Sequence, residues 1–132
     1  MINTKLTRKA MIIAYEAHKN QVDKSGVPYI YHPIHVAEQM DTENECIIAL
    51  LHDVVEDTNV TFKQLEEVFS KEIIDILKLL TREENIEYDE YIKRIKNNSI
   101  ACKVKIADLT HNLDKTRLDF VTEVDVKRNE KY

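Results

Sequence analysis

ALLHDVVEDT, residues 49–58, is the stretch on which the reading of this chain turns. Its first three residues close the apolar run CIIALL (Cys46 to Leu51), and the next six carry His52, Asp53, Glu56 and Asp57. In a helix, residues three and four apart share a face, so His52 stacks with Glu56, and Asp53 lies over Glu56 and Asp57. Adjacent residues diverge by about 100°, yet His and Asp differ in reach and can converge on one point. Carboxylates packed this closely repel one another and resist burial unless a cation compensates them. A divalent metal is an economical compensation, and both His and Asp are ligands for one. The plainer alternative is the acidic end of a helix turning into a loop, although acid at a helix C-terminus opposes the dipole.

Helical spacing extends in both directions. Leu6, Ala10, Ile13, Ala14 and Ala17 predict a first helix from about Leu6 to Lys19. Asp23-Lys24-Ser25-Gly26 reads as a turn, followed by an extended piece from Val27 to His32. Pro33 restricts His32 to extended geometry and suits the first position of a helix running to about Met40. Thr42 with Glu45 is a capping-box signature for a third helix, about Glu43 to Val55. Thr61 with Gln64 repeats it for a fourth, and Ser70 caps a fifth carrying Ile73, Ile74, Leu77 and Leu80. After a polar loop (Arg82 to Glu87) come helices over about Tyr88 to Asn97 and Ser99 to Asp114, then a polar, weakly helical tail beyond Phe120.

Composition agrees with an all-α fold: a compact bundle occupying residues 1–132 as one domain. One Gly and two Pro supply too little punctuation for the tight turns of a β protein. CIIALL, the longest apolar run, is far short of the roughly 20 residues that span a bilayer. MINTKLTRK has no apolar segment behind its charges, so no secretion signal is expected. Cys46 and Cys102 read as reduced thiols within helices, which points to a cytoplasmic protein. A net charge of −5 argues against nucleic acid as a partner while leaving room for a small anionic substrate held by local Lys and Arg.

Two further residues complete a candidate ligand set. His32 stands at the entry to a helix, where its side chain can point inward from a restrained backbone. Asp108 lies in VKIADLTHN among Val104, Ile106 and Ala107, where an unpaired carboxylate is costly. A buried Asp satisfied by a Lys or a helix N-terminus is the competing account of Asp108. Two imidazoles and two carboxylates suit Mn²⁺ or Fe²⁺ better than Zn²⁺ or Mg²⁺.

The order His32, His52-Asp53, Asp108 resembles the His…His-Asp…Asp metal signature of HD-domain phosphohydrolases. AHKNQVDKSGVPYIYHP (Ala17 to Pro33), ALLHDVVEDT and VKIADLTHN (Val104 to Asn112) resemble the hydrolase domain of RelA/SpoT proteins and small alarmone hydrolases. The similarity runs from about residue 6 to residue 118. It implies an HD-type helical fold and removal of pyrophosphate from the 3′ position of (p)ppGpp, with Mn²⁺ as the usual ion. His32, His52, Asp53 and Asp108 would bind that ion, Glu56 and Asp57 would work on the attacking water, and Asn112 would lie near the nucleotide. Lys24 matches a basic position of the family. Arg82 and Arg128 are further candidates for phosphate, and each of the three can equally be a solvated charge.

Some residues depart from the pattern. Asp23 precedes Lys24 where many relatives carry a second basic residue, Leu109 follows Asp108 where relatives often carry one, and the linker from Leu80 to Ala101 is short. These changes leave open another nucleotide or phosphate ester as substrate, or a non-catalytic module that binds an alarmone around an ion. Among the remaining candidates, Tyr29 stacks or packs, His18 supports the site or packs, His35 reads as a partly exposed helix residue, and His111 either nears the pocket or stays at the surface.

Overall fold

The computed structural model describes residues 1–113, so Arg128 and the polar tail lie outside the described residues. Within them, the chain forms eight helical segments and no strand, only an isolated bridge between Val22 and Pro28. The all-α expectation therefore holds.

Most helix starts follow the capping chemistry of the sequence. α1 (Lys5–His18) opens on a reciprocal cap: Thr4 accepts from the Thr7 N–H, and Thr7 Oγ1 accepts from the Thr4 N–H at 2.7 Å. α2 is Tyr31–Glu38 and α3 is Glu43–Leu51. Thr42 caps α3 by accepting from the Glu45 N–H, but the Glu45 carboxylate takes the Asp41 N–H, so the expected box is shifted by one residue. α4 is Val54–Asp57. Thr61 and Gln64 form the expected box ahead of α5 (Phe62–Glu66), and Ser70 caps α6 (Lys71–Leu80). α7 (Tyr88–Lys96) and α8 (Ser99–Asn112) follow, the latter capped by Asn98, whose Oδ1 accepts from the Ala101 N–H at 2.9 Å.

Two expectations are corrected, both beside candidate ligands. His32 is helical, the second residue of α2, and Pro33 is the third rather than the first. A helix's first turn tolerates proline because its N–H groups have no intrahelical partner, and this outweighs the pre-proline bias against α geometry. The single helix expected from Glu43 to Val55 is broken: α3 ends at Leu51, and Asp53, at φ −106° and ψ −1°, starts α4. The Ala49 carbonyl, which would receive the Asp53 N–H in an unbroken helix, instead accepts from His52 Nδ1 at 2.6 Å.

α3 is the axis of the molecule. Cys46 through Leu51 are at most 1% exposed, because α3 is surrounded by α1, α2, α6 and α8. A helix covered on all sides is apolar all round, which is why CIIALL shows no polar face. Cys46 and Cys102 are free thiols. No described helix is long and apolar enough to cross a membrane. Truncating Leu50 to Ala should lower stability by roughly 2–5 kcal/mol in urea denaturation, through lost burial and the cavity left behind; a change under about 1 kcal/mol would contradict this packing.

Candidate metal centre

The site is assembled from one turn, α2, the α3–α4 break and α8. Asp23 Oδ1 accepts from the Ser25 and Val27 N–H groups at 2.9 and 3.0 Å, and Gly26 supplies the positive φ (81°) that closes the turn. The acid that departs from the family pattern thus organises the turn bearing exposed Lys24. The Tyr29 N–H then donates to the Gln21 carbonyl at 2.8 Å, and the Tyr29 hydroxyl donates to Asp53 Oδ2. Tyr29 packs as well, its ring centre 4.9 Å from that of His18.

His32 from α2, His52 and Asp53 from the α3–α4 break, and Asp108 from α8 converge, with one ligating atom of each within 4.8 Å of all the others. Asp108 Oδ1 lies 2.7 Å from His32 Nε2 and 3.3 Å from His52 Nε2. Asp53 Oδ2 lies 3.0 Å from His52 Nε2 and 4.0 Å from His32 Nε2. His52 and Asp53 both keep right-handed helical backbone geometry at the break, and their side chains meet through their different reach. His32, His52 and Asp108 are 2%, 5% and 5% exposed.

The donor set fits a cation. His52 Nδ1–H is committed to the Ala49 carbonyl, so neutral His52 turns its Nε2 lone pair towards two carboxylate oxygens. Three acceptors facing one another in a buried space require a proton or a metal ion between them. A proton partly serves: burial lowers the His52 pKa, but Asp53 and Asp108 outweigh it and hold the imidazole well above its ordinary value. Burial likewise raises the Asp53 carboxyl, and the neighbouring His52 overcomes this and lowers it to about 2. Asp108 is held below the carboxylate range against its burial by hydrogen bonds from both imidazoles.

The competing account of Asp108 is half present. Lys105, one turn back on α8, reaches Asp108 Oδ2 at 3.2 Å, while Oδ1 faces the histidines and accepts from Asn112 Nδ2 at 3.1 Å. Asn112 therefore orients Asp108. Glu56 and Asp57 are the exposed last residues of α4, one turn beyond the break. Partial burial first, then the Asp57 and Asp53 charges, push the Glu56 carboxyl up; burial and Asp53 do the same to Asp57. Arg82 holds Glu56 through its backbone N–H (3.3 Å to Oε1), while its guanidinium donates to the Ile86 carbonyl and lies over the Tyr88 ring. Tyr29 as a partner of Asp53 and Lys105 as a partner of Asp108 escaped the sequence reading; only the three-residue spacing of Lys105 and Asp108 was a usable signal.

This geometry carries the signature of a known class, and residues 10–117 match the HD domain family. The chain belongs to that family, which implies a divalent cation at this cluster. It is 31% identical over 124 residues to the bifunctional (p)ppGpp synthase/hydrolase SpoT of Escherichia coli strain K12, covering 83% of this chain and 18% of that protein. It is 35% identical over 124 residues to the guanosine-3′,5′-bis(diphosphate) 3′-pyrophosphohydrolase MESH1 of Danio rerio, covering 84% of this chain and 69% of that protein. The chain thus spans less than a fifth of the bacterial relative's length. A solved structure described as a metazoan ortholog of SpoT that hydrolyzes ppGpp shares the fold, with a TM-score of 0.81 at 24% identity over 97% of this chain and 82% of that one.

Replacing Asp108 with Ala removes the shared acceptor of His32, His52, Lys105 and Asn112. It should cost roughly 3–5 kcal/mol, the range for breaking a buried charge pair, and should reduce bound metal in elemental analysis. Full stability with full metal content would contradict the convergence.

Proposed function

We propose that this chain is a Mn²⁺-dependent hydrolase that removes pyrophosphate from the 3′ position of (p)ppGpp in the cytoplasm, leaving GDP or GTP. The observation that carries this reading is the cluster of His32, His52, Asp53 and Asp108 beneath a rim bearing Glu56 and Asp57. Relatives named as (p)ppGpp 3′-pyrophosphohydrolases support the choice of substrate. The four residues hold the ion, whose mixed nitrogen and oxygen ligands favour Mn²⁺. Once bound, the ion supplies Lewis acidity and a lowered pKa for water.

The protein's own contribution is to position charge and move protons. Tyr29 and Asn112 fix the Asp53 and Asp108 carboxylates by hydrogen bonds. Glu56 and Asp57, with raised pKa values, take a proton from water more readily than ordinary carboxylates. As a pair they divide removal of the water proton and its delivery to the departing ribose oxygen. Lys24 on its exposed turn offers positive charge to the phosphates, with Arg82 and Arg128 as further candidates and Asn112 near the nucleotide.

One observation favours a second reading, an HD-type phosphohydrolase of another nucleotide or phosphate ester. The Arg82 guanidinium is already engaged by the Ile86 carbonyl and the Tyr88 ring, which leaves fewer of its N–H donors for a polyphosphate. Incubation with ppGpp and Mn²⁺ should release intact pyrophosphate, and a nucleotide panel separates the two readings. Only orthophosphate, or no turnover at all, would defeat the first.

Glu56→Gln should lower kcat by about 100-fold or more, the scale of general acid–base catalysis, with bound Mn²⁺ retained. The variant should also be no less stable than the parent at neutral pH. A carboxyl whose folded pKa is raised binds its proton more tightly in the folded state, so its ionisation opposes folding as pH rises. Unchanged turnover would remove Glu56 from the mechanism.

A further inference from the structure

All five histidines of the chain lie in one connected array, and the metal cluster accounts for only two of them. His111, on α8 one turn beyond Asp108, approaches the opposite edge of His32: Nδ1 of one ring is 2.7 Å from Nδ1 of the other. The two ring planes differ by 5° and their centres are 5.0 Å apart. Parallel rings with centres so far apart bring two nitrogens this close only edge to edge in nearly one plane, because each nitrogen must spend its full ring radius closing the gap. The lone pair of an unprotonated imidazole nitrogen lies in the ring plane, so this is hydrogen-bond geometry and not a face-to-face stack. His35 provides the true stack, its ring centre 3.9 Å from that of His111 at 16°, and holds the His111 ring by its face.

An imidazole that ligates through Nε2 carries its single proton on Nδ1, and that proton needs an acceptor. For His52 the acceptor is the Ala49 carbonyl. For His32 the group standing at Nδ1 is His111; when an ion takes the place of the proton between His32 Nε2 and Asp108 Oδ1, the remaining His32 proton is on Nδ1, and His111 accepts it as the tautomer protonated on Nε2. We propose that His111 is a positioning residue for the metal: it accepts the Nδ1 proton of His32, fixing the tautomer and ring direction that turn His32 Nε2 towards the ion. The inference rests on the reading of His32 as a ligand. Outer partners of this kind change metal affinity by about 10–100-fold when removed.

Two variants separate the hydrogen bond from the packing. His111→Phe keeps an aromatic ring between His32 and His35 but has no acceptor, whereas His111→Asn places an amide oxygen close to the position of Nδ1. Calorimetric titration of each folded, metal-stripped chain with Mn²⁺ should show affinity reduced at least ~10-fold in His111→Phe, with the thermal midpoint of the stripped chain unmoved. His111→Asn should restore most of the affinity. Equal affinities in the parent and His111→Phe, or an equal loss in both variants, would overturn the proposal.

Imidazole nitrogen NMR of the unaltered chain loaded with diamagnetic Zn²⁺ gives an answer even if neither variant folds. His111 should carry its proton on Nε2 and His32 on Nδ1, and a proton on His111 Nδ1 would overturn the assignment. His32→Ala serves as the companion measurement. If it binds Mn²⁺ as tightly as the parent, the ligand reading fails together with the inference; if it loses binding while His111→Phe does not, only the inference fails.

Discussion

The constraint behind this structure is that two aspartate oxygens and the imidazole edges of His32 and His52 meet in a largely buried space. Asp108 Oδ1 alone faces His32 Nε2, His52 Nε2 and Asn112 Nδ2. Negative groups gathered this closely do not fold together without positive charge among them. The fold answers in layers: an imidazole, His52, whose pKa the two carboxylates raise, the Lys105 ammonium at Asp108 Oδ2, and a site whose donor set suits a divalent ion. The hydroxyl of Tyr29 and the amide of Asn112 do not add charge; they orient the carboxylates that carry it.

Rigidity around that cluster comes from α3. Its residues from Cys46 to Leu51 are enclosed by α1, α2, α6 and α8, so the helix end that delivers His52 is fixed on every side. The break after Leu51 lies between His52 and the short α4. There Asp53 meets the same point as His52, while Glu56 and Asp57 are exposed and Glu56 accepts from the Arg82 N–H. Candidate ligands and the exposed acids proposed for proton transfer lie within six residues of sequence.

The histidine array gives the cluster an outer support reaching the surface. His52 is oriented by a backbone carbonyl of its own helix, and His32 by a ring from α8, which also carries Asp108. One helix therefore supplies both a carboxylate of the cluster and the group behind an imidazole facing that carboxylate. On the other side, the turn from Asp23 to Gly26 delivers Tyr29 to Asp53. Asp23 Oδ1 accepts from two backbone N–H groups of that turn, which gives this acid a structural role.

Sequence alone determined the helical class, most helix starts and the four residues of the cluster. Apolar spacing and Ser, Thr and Asn caps act locally, and a His or Asp inside an apolar run is conspicuous because its burial is costly. It misplaced the helix boundaries at His32 and His52, because pre-proline bias and helix continuity are weak local preferences that tertiary hydrogen bonds override. Only the folded chain decided that Tyr29 meets Asp53, that Arg82 holds Glu56 through its backbone, and that His111 lies edge to edge with His32. Those contacts join residues 24, 26 and 79 positions apart. No period or motif encodes such pairs; they exist because α2, the α3–α4 break and α8 close around one buried point.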